Sequence, residues 1–584
     1  MRLRMARAST PNPMLQATRI DSVDHLWLKS YPAGVAHEID ASQIGTLVQL
    51  LQESCARHGR RVAFSCMGAD LTYQELDSLS NAVASWLRSR GLKQGDRVAV
   101  MLPNVLQYPV VMAGVLRAGC VVVNVNPQYK PRELEYQLAD SGARAIFVLE
   151  NFAATLACVR ERVPTDSVCI CRLGDLLGTV RGALVNFVVG RVRKLVPPYE
   201  LPGSVPFRDL VRDHALAPVA PVPVQRDDVA FLQYTGGTTG VSKGATLLHR
   251  NLVANVMQVR AWYQPALDLL PPGEQFTNVA ALPLYHIFAL TCCALLTLRQ
   301  GGKTVLIPNP RDIPALVKEL KRHRIHCFPA VNTLFNVLVG DKDFRTLDFS
   351  SLRICAGGGM AVQRAVADKW LALTGRPICE GYGLSETSPV AIANPVLATE
   401  FSGNVGLPIP STEVAILDDD GNCLPLGAAG EIAIRGPQVM DGYWLRPDET
   451  ARVMTSDGFL RTGDIGTMDE RGYIRIVDRK KDMVLVSGFK VFPNEVEDVV
   501  ASHPGVRECA VVGVPDEHSG EAVKLFVVRA DPALTEHDLV EYCHENLTGY
   551  KRPKFIEFRS DLPKSNVGKI LRRALRDESA SARA

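Results

Sequence analysis

Short, continuous apolar runs rich in β-branched residues recur along this chain with amphipathic stretches between them. They include RVAVML at 97–102, CVVVNV at 120–125, AIFVL at 145–149, KTVLI at 303–307, and residues 353–355 ahead of a glycine run. A strand that is apolar on both faces must be covered on both faces, so these runs predict sheets flanked by helices, an α/β architecture. At 584 residues the chain exceeds one core, because single cores stop growing at roughly 250–300 residues.

Past Tyr473 the pattern shortens. YIRIVDRKKD, a helix-like NEVEDVVASH, strand-like ECAVVGV and VKLFVV, and a helix-like EHDLVEYCHENL form a small α+β unit. The dense charge at 478–482 suits an exposed hinge. The expected organisation is a leader at 1–25, a large domain at 26–478 and a small mobile domain at 479–584, with the proline-rich stretch 215–224 as a connector inside the large domain. Residues 1–20 carry four arginines and no acid. They lack the apolar core of a secretory signal, so they read as a disordered leader or as the product of a start codon upstream of Met5 or Met14.

Two segments raise the question of a membrane. Residues 279–298 (VAALPLYHIFALTCCALLTL) are uncharged and long enough to span one, but Pro283 and His286 inside them favour a buried strand, turn and helix. Residues 181–196 mix apolar side chains with Arg181, Arg191, Arg193 and Lys194. Two readings stand there: a segment lying on an anionic membrane surface, or a surface helix packing its apolar stripe on the protein. The net charge of +3 argues against nucleic acid as a partner. The 14 scattered cysteines lack zinc or CxxC spacing, which predicts reduced thiols in a cytoplasmic protein.

The strongest local signal is YTGGTTGVSKGA at 234–245. Gly236, Gly237 and Gly240 let the backbone turn N–H groups toward an anion, Thr235, Thr238, Thr239 and Ser242 add hydroxyls, and Lys243 adds a point charge. That is a polyphosphate cradle, and its spacing differs from a Walker A loop. In EGYGLSETSP (380–389), Tyr382 offers an aromatic face to a purine and Glu386 a hard carboxylate to Mg²⁺. In RTGDIG (461–466), Asp464 is an acceptor for ribose hydroxyls.

Together with ALPLYHIFAL, AGGGMAV, GPQVMDGYW, DRKKDMVLVSGFKVFPNEVE, LTGYKRPK and LPKSNVGKILRR, these segments resemble the adenylate-forming superfamily. Within it they are similar to bacterial long-chain fatty acyl-CoA synthetases of the uptake type. The resemblance implies an ATP-dependent ligase that makes an acyl adenylate, releases pyrophosphate and then acylates coenzyme A.

It also implies residue roles. Thr235 to Lys243 would hold phosphates, with Thr235 and Glu386 at Mg²⁺. Gly358, Gly359, Glu380, Gly381 and Tyr382 would wall the adenine, beside Gly383 and Ser385, where many relatives have threonine for the serine. Asp464 and Arg479 would take the ribose, and Lys569 would be the catalytic lysine of the first half-reaction. Lys481 would be the hinge, Gly488 would border the pantetheine arm, and His286 would stand near the acyl carboxylate. For an acyl tunnel the candidates are Ile287, Phe288, Leu290 and Val331, each of which could equally be core. Peripheral contact with the inner membrane and a homodimer complete the expectations. A medium-chain or aryl substrate, or transfer to a carrier protein, are the competing outcomes.

Overall fold

The computed structural model describes residues 25–215, 221–235, 242–487, 489–516, 518–565 and 568–581. The expected leader and the middle of the 215–224 connector lie outside them.

The apolar runs become strands of two different sheets. Arg97–Met101, Val121–Asn124 and Ala145–Leu149 pair in parallel in an eight-stranded sheet, which Val229–Thr235 extends in parallel and Lys243–Leu248 continues as its antiparallel partner. Val62–Cys66, Thr277–Ala280, Lys303–Leu306, Cys327–Ala330, Ile354–Gly357 and Cys379–Gly383 form the parallel part of a nine-stranded sheet. The strand cores are buried throughout, as two-sided apolar strands require.

The two sheets meet across helix Gln107–Arg117, every residue of which is buried. Asn104 Nδ2 donates to the carbonyls of Ala280 and Leu282 at 2.7 and 2.8 Å, and the Tyr108 hydroxyl donates to Leu284 O at 2.8 Å. Helix Tyr73–Ser89 presses against this one so closely that a Cβ on Gly114 would lie 2.5 Å from Val83 Cβ and 2.8 Å from Ser80 O. Only glycine fits there.

An antiparallel sheet of Glu413–Leu417, Gly430–Arg435, Leu460–Met468 and Ile474–Arg479 was not foreseen. YIRIVD therefore pairs back into this sheet instead of opening the small unit. After the connector 480–483 a second fold begins. Strands Val484–Val486, Phe489–Val491, Val506–Asp516 and Gly520–Arg529 are antiparallel, Phe555–Arg559 adds in parallel to Gly520–Arg529, and helices Pro493–Ala501, Glu536–Asn546 and Arg572–Ser581 accompany them.

Residues 279–298 fold as the end of strand Thr277–Ala280, a turn, and a helix whose middle, Leu290–Leu295, has widened turns. Among the described residues no helix is long and apolar enough to cross a membrane. The other segment forms helix Thr179–Phe187, continued by wide-turned Val188–Val192. Val185 packs on the core and Val188 and Val189 are half-buried, whereas the larger apolar side chains Val180, Leu184, Phe187, Val192 and Leu195 are exposed, so only part of the apolar surface of this segment packs on the protein.

Candidate active site

A cavity of about 2070 Å³ opens between the C-terminal ends of the central strands and the small domain. Its lining includes Thr235, Lys243, His286, Gly358, Gly359, Glu380, Gly381, Tyr382, Gly383, Ser385, Glu386, Asp464, Arg479, Lys481 and Lys569. Residues separated by more than 300 positions thus face one space. Gly236, Gly237, Thr238, Thr239, Gly240 and Gly488 lie outside the described residues.

The phosphate-loop residues on either side of that gap are neighbours because they end paired strands, Thr235 opposite Lys243. Ser242 Oγ donates to Thr235 O at 2.6 Å. Lys243 Nζ forms an ion pair with Glu449 and sits 5.4 Å from the Tyr443 ring centroid.

Glu386 follows strand Cys379–Gly383, in a short 3₁₀ turn. Its Oε1 accepts from the Tyr443 hydroxyl at 2.7 Å. Burial pushes its carboxyl above the usual carboxylate range, and the Tyr443 hydrogen bond opposes that. Among the described residues no lysine or arginine pairs with it, and no cluster of three or more His, Cys, Asp or Glu could hold a metal. A half-buried carboxylate without a cation suits Mg²⁺ that is otherwise ligated by phosphate oxygens and water.

Asp464 and Arg479 stand opposite each other on adjacent strands. Arg479 Nε lies 3.2 Å from Asp464 Oδ1, and the Tyr382 hydroxyl donates to Asp464 Oδ2 at 2.6 Å. Tyr382 therefore fixes the Asp464 carboxylate. The Gly358 backbone passes so near Phe288 that a Cβ there would meet Phe288 Cε1 at 2.9 Å. Glu380 Oε1 accepts from Val362 N at 2.8 Å, bracing the loop after Gly359, and burial raises its carboxyl to about 8.

Lys569 sits in a tight turn of the small domain. Ser565 N donates to Lys569 O at 2.7 Å, Lys569 N donates to Ser565 Oγ at 3.1 Å, and Gly568 adopts φ +80° against Thr333 of the large domain. Burial, then the nearby Arg479, lowers the Lys569 amine to about 8. Burial, then Lys569, lowers His286 to about 4, so its ring is neutral at pH 7. Its Nδ1 accepts from Phe288 N at 3.4 Å, which leaves Nε2 as the N–H donor.

The small domain is clamped in place by Arg572 on the last helix. Its guanidinium reaches Asp478 Oδ1 at 3.1 Å and Glu497 Oε2 at 2.6 Å, while Arg576 reaches Asp482 Oδ1 at 3.1 Å. Lys481 lies inside this connector, its amine lowered by burial and by Arg479.

Of the four tunnel candidates, Ile287, Phe288 and Val331 line the cavity and Leu290 does not. Leu290 is fully buried in the core. Residues that sequence reasoning missed also line it: Trp262 and Tyr263 from helix His249–Leu267, with Cys292, Ile354 and Cys379. Burial pushes the Cys292 and Cys379 thiols up to about 12, so they act as apolar wall. All 14 cysteines are unpaired, 12 of them buried. Tyr443 and Glu449 were missed as well, although Tyr443 belongs to the GPQVMDGYW segment.

A fold of flanked sheets with a small C-terminal α+β domain, in which half-buried Lys569 faces the same cavity as Thr235 and Lys243, is that of a nucleotide-binding enzyme. The profile of the AMP-binding enzymes matches residues 51–444, and that of the AMP-binding enzyme C-terminal domain matches 495–569. The chain belongs to the AMP-binding, adenylate-forming enzyme family. It is 54% identical to a long-chain-fatty-acid–CoA ligase of Escherichia coli O6:H1, over 95% of this chain and 98% of that one. It is 36% identical to a long-chain-fatty-acid–CoA ligase of Bacillus subtilis, over 94% of this chain and 98% of the other. Among solved structures, an anthranilate CoA ligase in complex with anthranoyl-AMP is similar at TM-score 0.81 and 25% identity, covering 93% of this chain and 99% of that one.

Proposed function

We propose that the chain activates a long-chain fatty acid with ATP, forming acyl-AMP and pyrophosphate, and then transfers the acyl group to coenzyme A. The observation that carries this reading is the convergence of Lys569, Asp464, Arg479, Glu386 and neutral His286 on a cavity that is also walled by uncharged apolar side chains.

In the first step a fatty-acid carboxylate oxygen attacks the α-phosphorus and the bond to pyrophosphate breaks. Two anions approach, and charge builds on the phosphoryl oxygens. Lys569, half-buried and facing the same space, offsets that repulsion and aligns the reactants. His286 Nε2–H orients the carboxylate, Asp464 and Arg479 hold the ribose, and Lys243 and the Thr235 hydroxyl meet the terminal phosphates. Arrival of phosphates frees Lys243 from Glu449. Mg²⁺ held with Glu386, and with Thr235 as a further ligand, would neutralise phosphate charge and favour pyrophosphate as the leaving group.

In the second step the coenzyme A sulfur attacks the acyl carbonyl and AMP leaves. Lys569 occupies the space the thiol needs, so the small domain must turn about Lys481, breaking the Arg572–Asp478 contact and bringing the Gly488 segment toward the site. The enzyme works in the cytoplasm against the inner face of the membrane.

The test combines fatty-acid-dependent pyrophosphate release with detection of the thioester, over a panel from about C6 to C18 plus benzoate, since each buried CH₂ is worth about 0.8 kcal/mol. An optimum at long chains is expected. Adenylate formation without a coenzyme A thioester would move the reading to carrier-protein loading, and an optimum at C6–C10 or benzoate would move it to a medium-chain or aryl ligase.

A further inference from the structure

Between Asp175 and Glu200 the chain carries no carboxylate. Helix Thr179–Phe187 and its continuation Val188–Val192 occupy most of that interval. Val180, Leu184, Phe187, Val192 and Leu195 are each between 51% and 83% exposed. Met67, whose carbonyl accepts from Arg181 at 3.2 Å, adds another exposed apolar side chain beside them. Six of the fifteen exposed large apolar residues among those described therefore lie in one place. Scattered exposed apolar residues need no explanation, whereas a contiguous set on one helix does.

The opposite face of the helix is anchored. Gly182 packs on Gly174, whose N–H donates to Asn186 Oδ1 at 2.8 Å. Arg181 also donates to Gly68 O at 2.5 Å, and Asn151 Nδ2 donates to Leu195 O at 3.1 Å. The apolar stripe is thus held outward by a fixed backbone. At its C-terminal end Arg191, Arg193 and Lys194 are exposed, and among the described residues none of them has a carboxylate partner.

We infer that this face docks on an anionic lipid bilayer, with Val180, Leu184, Phe187 and Val192 entering the headgroup–acyl boundary and Arg191, Arg193 and Lys194 meeting lipid phosphates. The combination of apolar stripe, basic cluster and missing carboxylates matches the chemistry of such a surface. A second copy of this chain fits it poorly, because a two-fold contact through the same face sets a cationic cluster with no carboxylate of its own against another. The inference deepens the functional reading by naming the surface that meets the membrane, and its test is independent of turnover.

Full-length protein without substrates is sedimented with vesicles of equimolar phosphatidylcholine and phosphatidylglycerol, and with vesicles of phosphatidylcholine alone. Binding to the anionic vesicles is expected, weakening as salt rises. The double variant Leu184→Asp/Phe187→Asp should bind about tenfold more weakly, and the triple variant Arg191→Gln/Arg193→Gln/Lys194→Gln should lose the preference for anionic lipid. Pyrophosphate exchange with octanoate, measured without vesicles, should match the parent in both variants, which shows that they are folded. The inference is overturned if the parent stays in the supernatant, if the variants bind like the parent, or if light scattering shows the Asp substitutions splitting a dimer while vesicle binding is unchanged. Failure of pyrophosphate exchange in the parent with both octanoate and palmitate would instead count against the proposed reaction.

Discussion

Arg572, near the end of the chain, holds Asp478 at 3.1 Å, and Asp478 is fully buried on the last strand before the interdomain connector. The same guanidinium binds Glu497 of the small domain, so one side chain ties the two domains together three residues after Lys569. Breaking a buried pair on one side costs about 3–5 kcal/mol, because the remaining charge is left uncompensated. Arg572→Met should reduce adenylate formation by about a hundredfold or more, within that range, while thioester formation from supplied acyl-AMP falls far less. Arg572→Lys should recover part of the first activity. Equal loss of both half-reactions would mean that Arg572 only stabilises the fold.

Lys569 must be protonated to act as a positioned charge. Burial and Arg479 lower its amine to about 8, so the cation present below that pH is lost above it. The kcat/KM for the adenylation half-reaction should therefore fall as pH rises through about 8, since this ratio reports ionisations of the free enzyme. Thioester formation from acyl-AMP, in which Lys569 has withdrawn, should lack that limb. Lys569→Ala should abolish the first step and spare the second, and any residual adenylation by Lys569→Arg should lose the basic limb because guanidinium stays charged. A basic limb unchanged in Lys569→Arg would contradict the assignment.

The Tyr443 hydroxyl is the one side-chain hydrogen-bond donor to Glu386 among the described residues. A hydrogen bond to a charged group contributes roughly 1.5–3 kcal/mol, so Tyr443→Phe should raise the Mg²⁺ concentration for half-maximal adenylation about tenfold or more. Thioester formation from acyl-AMP should change little, and chelation of Mg²⁺ should stop the first step alone. The check is a Mg²⁺ titration of pyrophosphate release in both proteins.

Cys292 and Cys379 line the cavity together with Trp262 and Tyr263. Enlarging either should shorten the space for a chain. Cys292→Phe is expected to move the preferred substrate to shorter acids, with each excluded CH₂ costing about 0.8 kcal/mol, or roughly fourfold in kcat/KM. Leu290→Phe points into the core instead and should destabilise without changing chain preference. The comparison is the kcat/KM ratio of palmitate to octanoate in each variant, alongside thermal unfolding.

Local chemistry made the α/β architecture, the reduced cysteines and the character of the nucleotide site legible before any coordinates. Runs such as AIFVL can be buried only between two covering layers, and a loop of glycine, hydroxyl and lysine suits an anion in any fold. The sequence placed a change of pattern after Tyr473, whereas strand Ile474–Arg479 still belongs to the preceding sheet and the second fold follows residues 480–483. It could not divide the strands between two sheets, since RVAVML and KTVLI have the same two-sided apolar character yet belong to different sheets. Nor could it foresee that YIRIVD returns to pair with Leu460–Met468, because antiparallel partners are selected by contacts distant in the chain. Tertiary structure alone brought Lys569 beside His286, set the Tyr443 hydroxyl on Glu386, and turned Leu290 into the core while its neighbour Ile287 faces the cavity. It alone left the stripe from Val180 to Leu195 uncovered: which face of a helix is free depends on what packs on its other side, and here Gly174, Gly68 and Asn151 take that side.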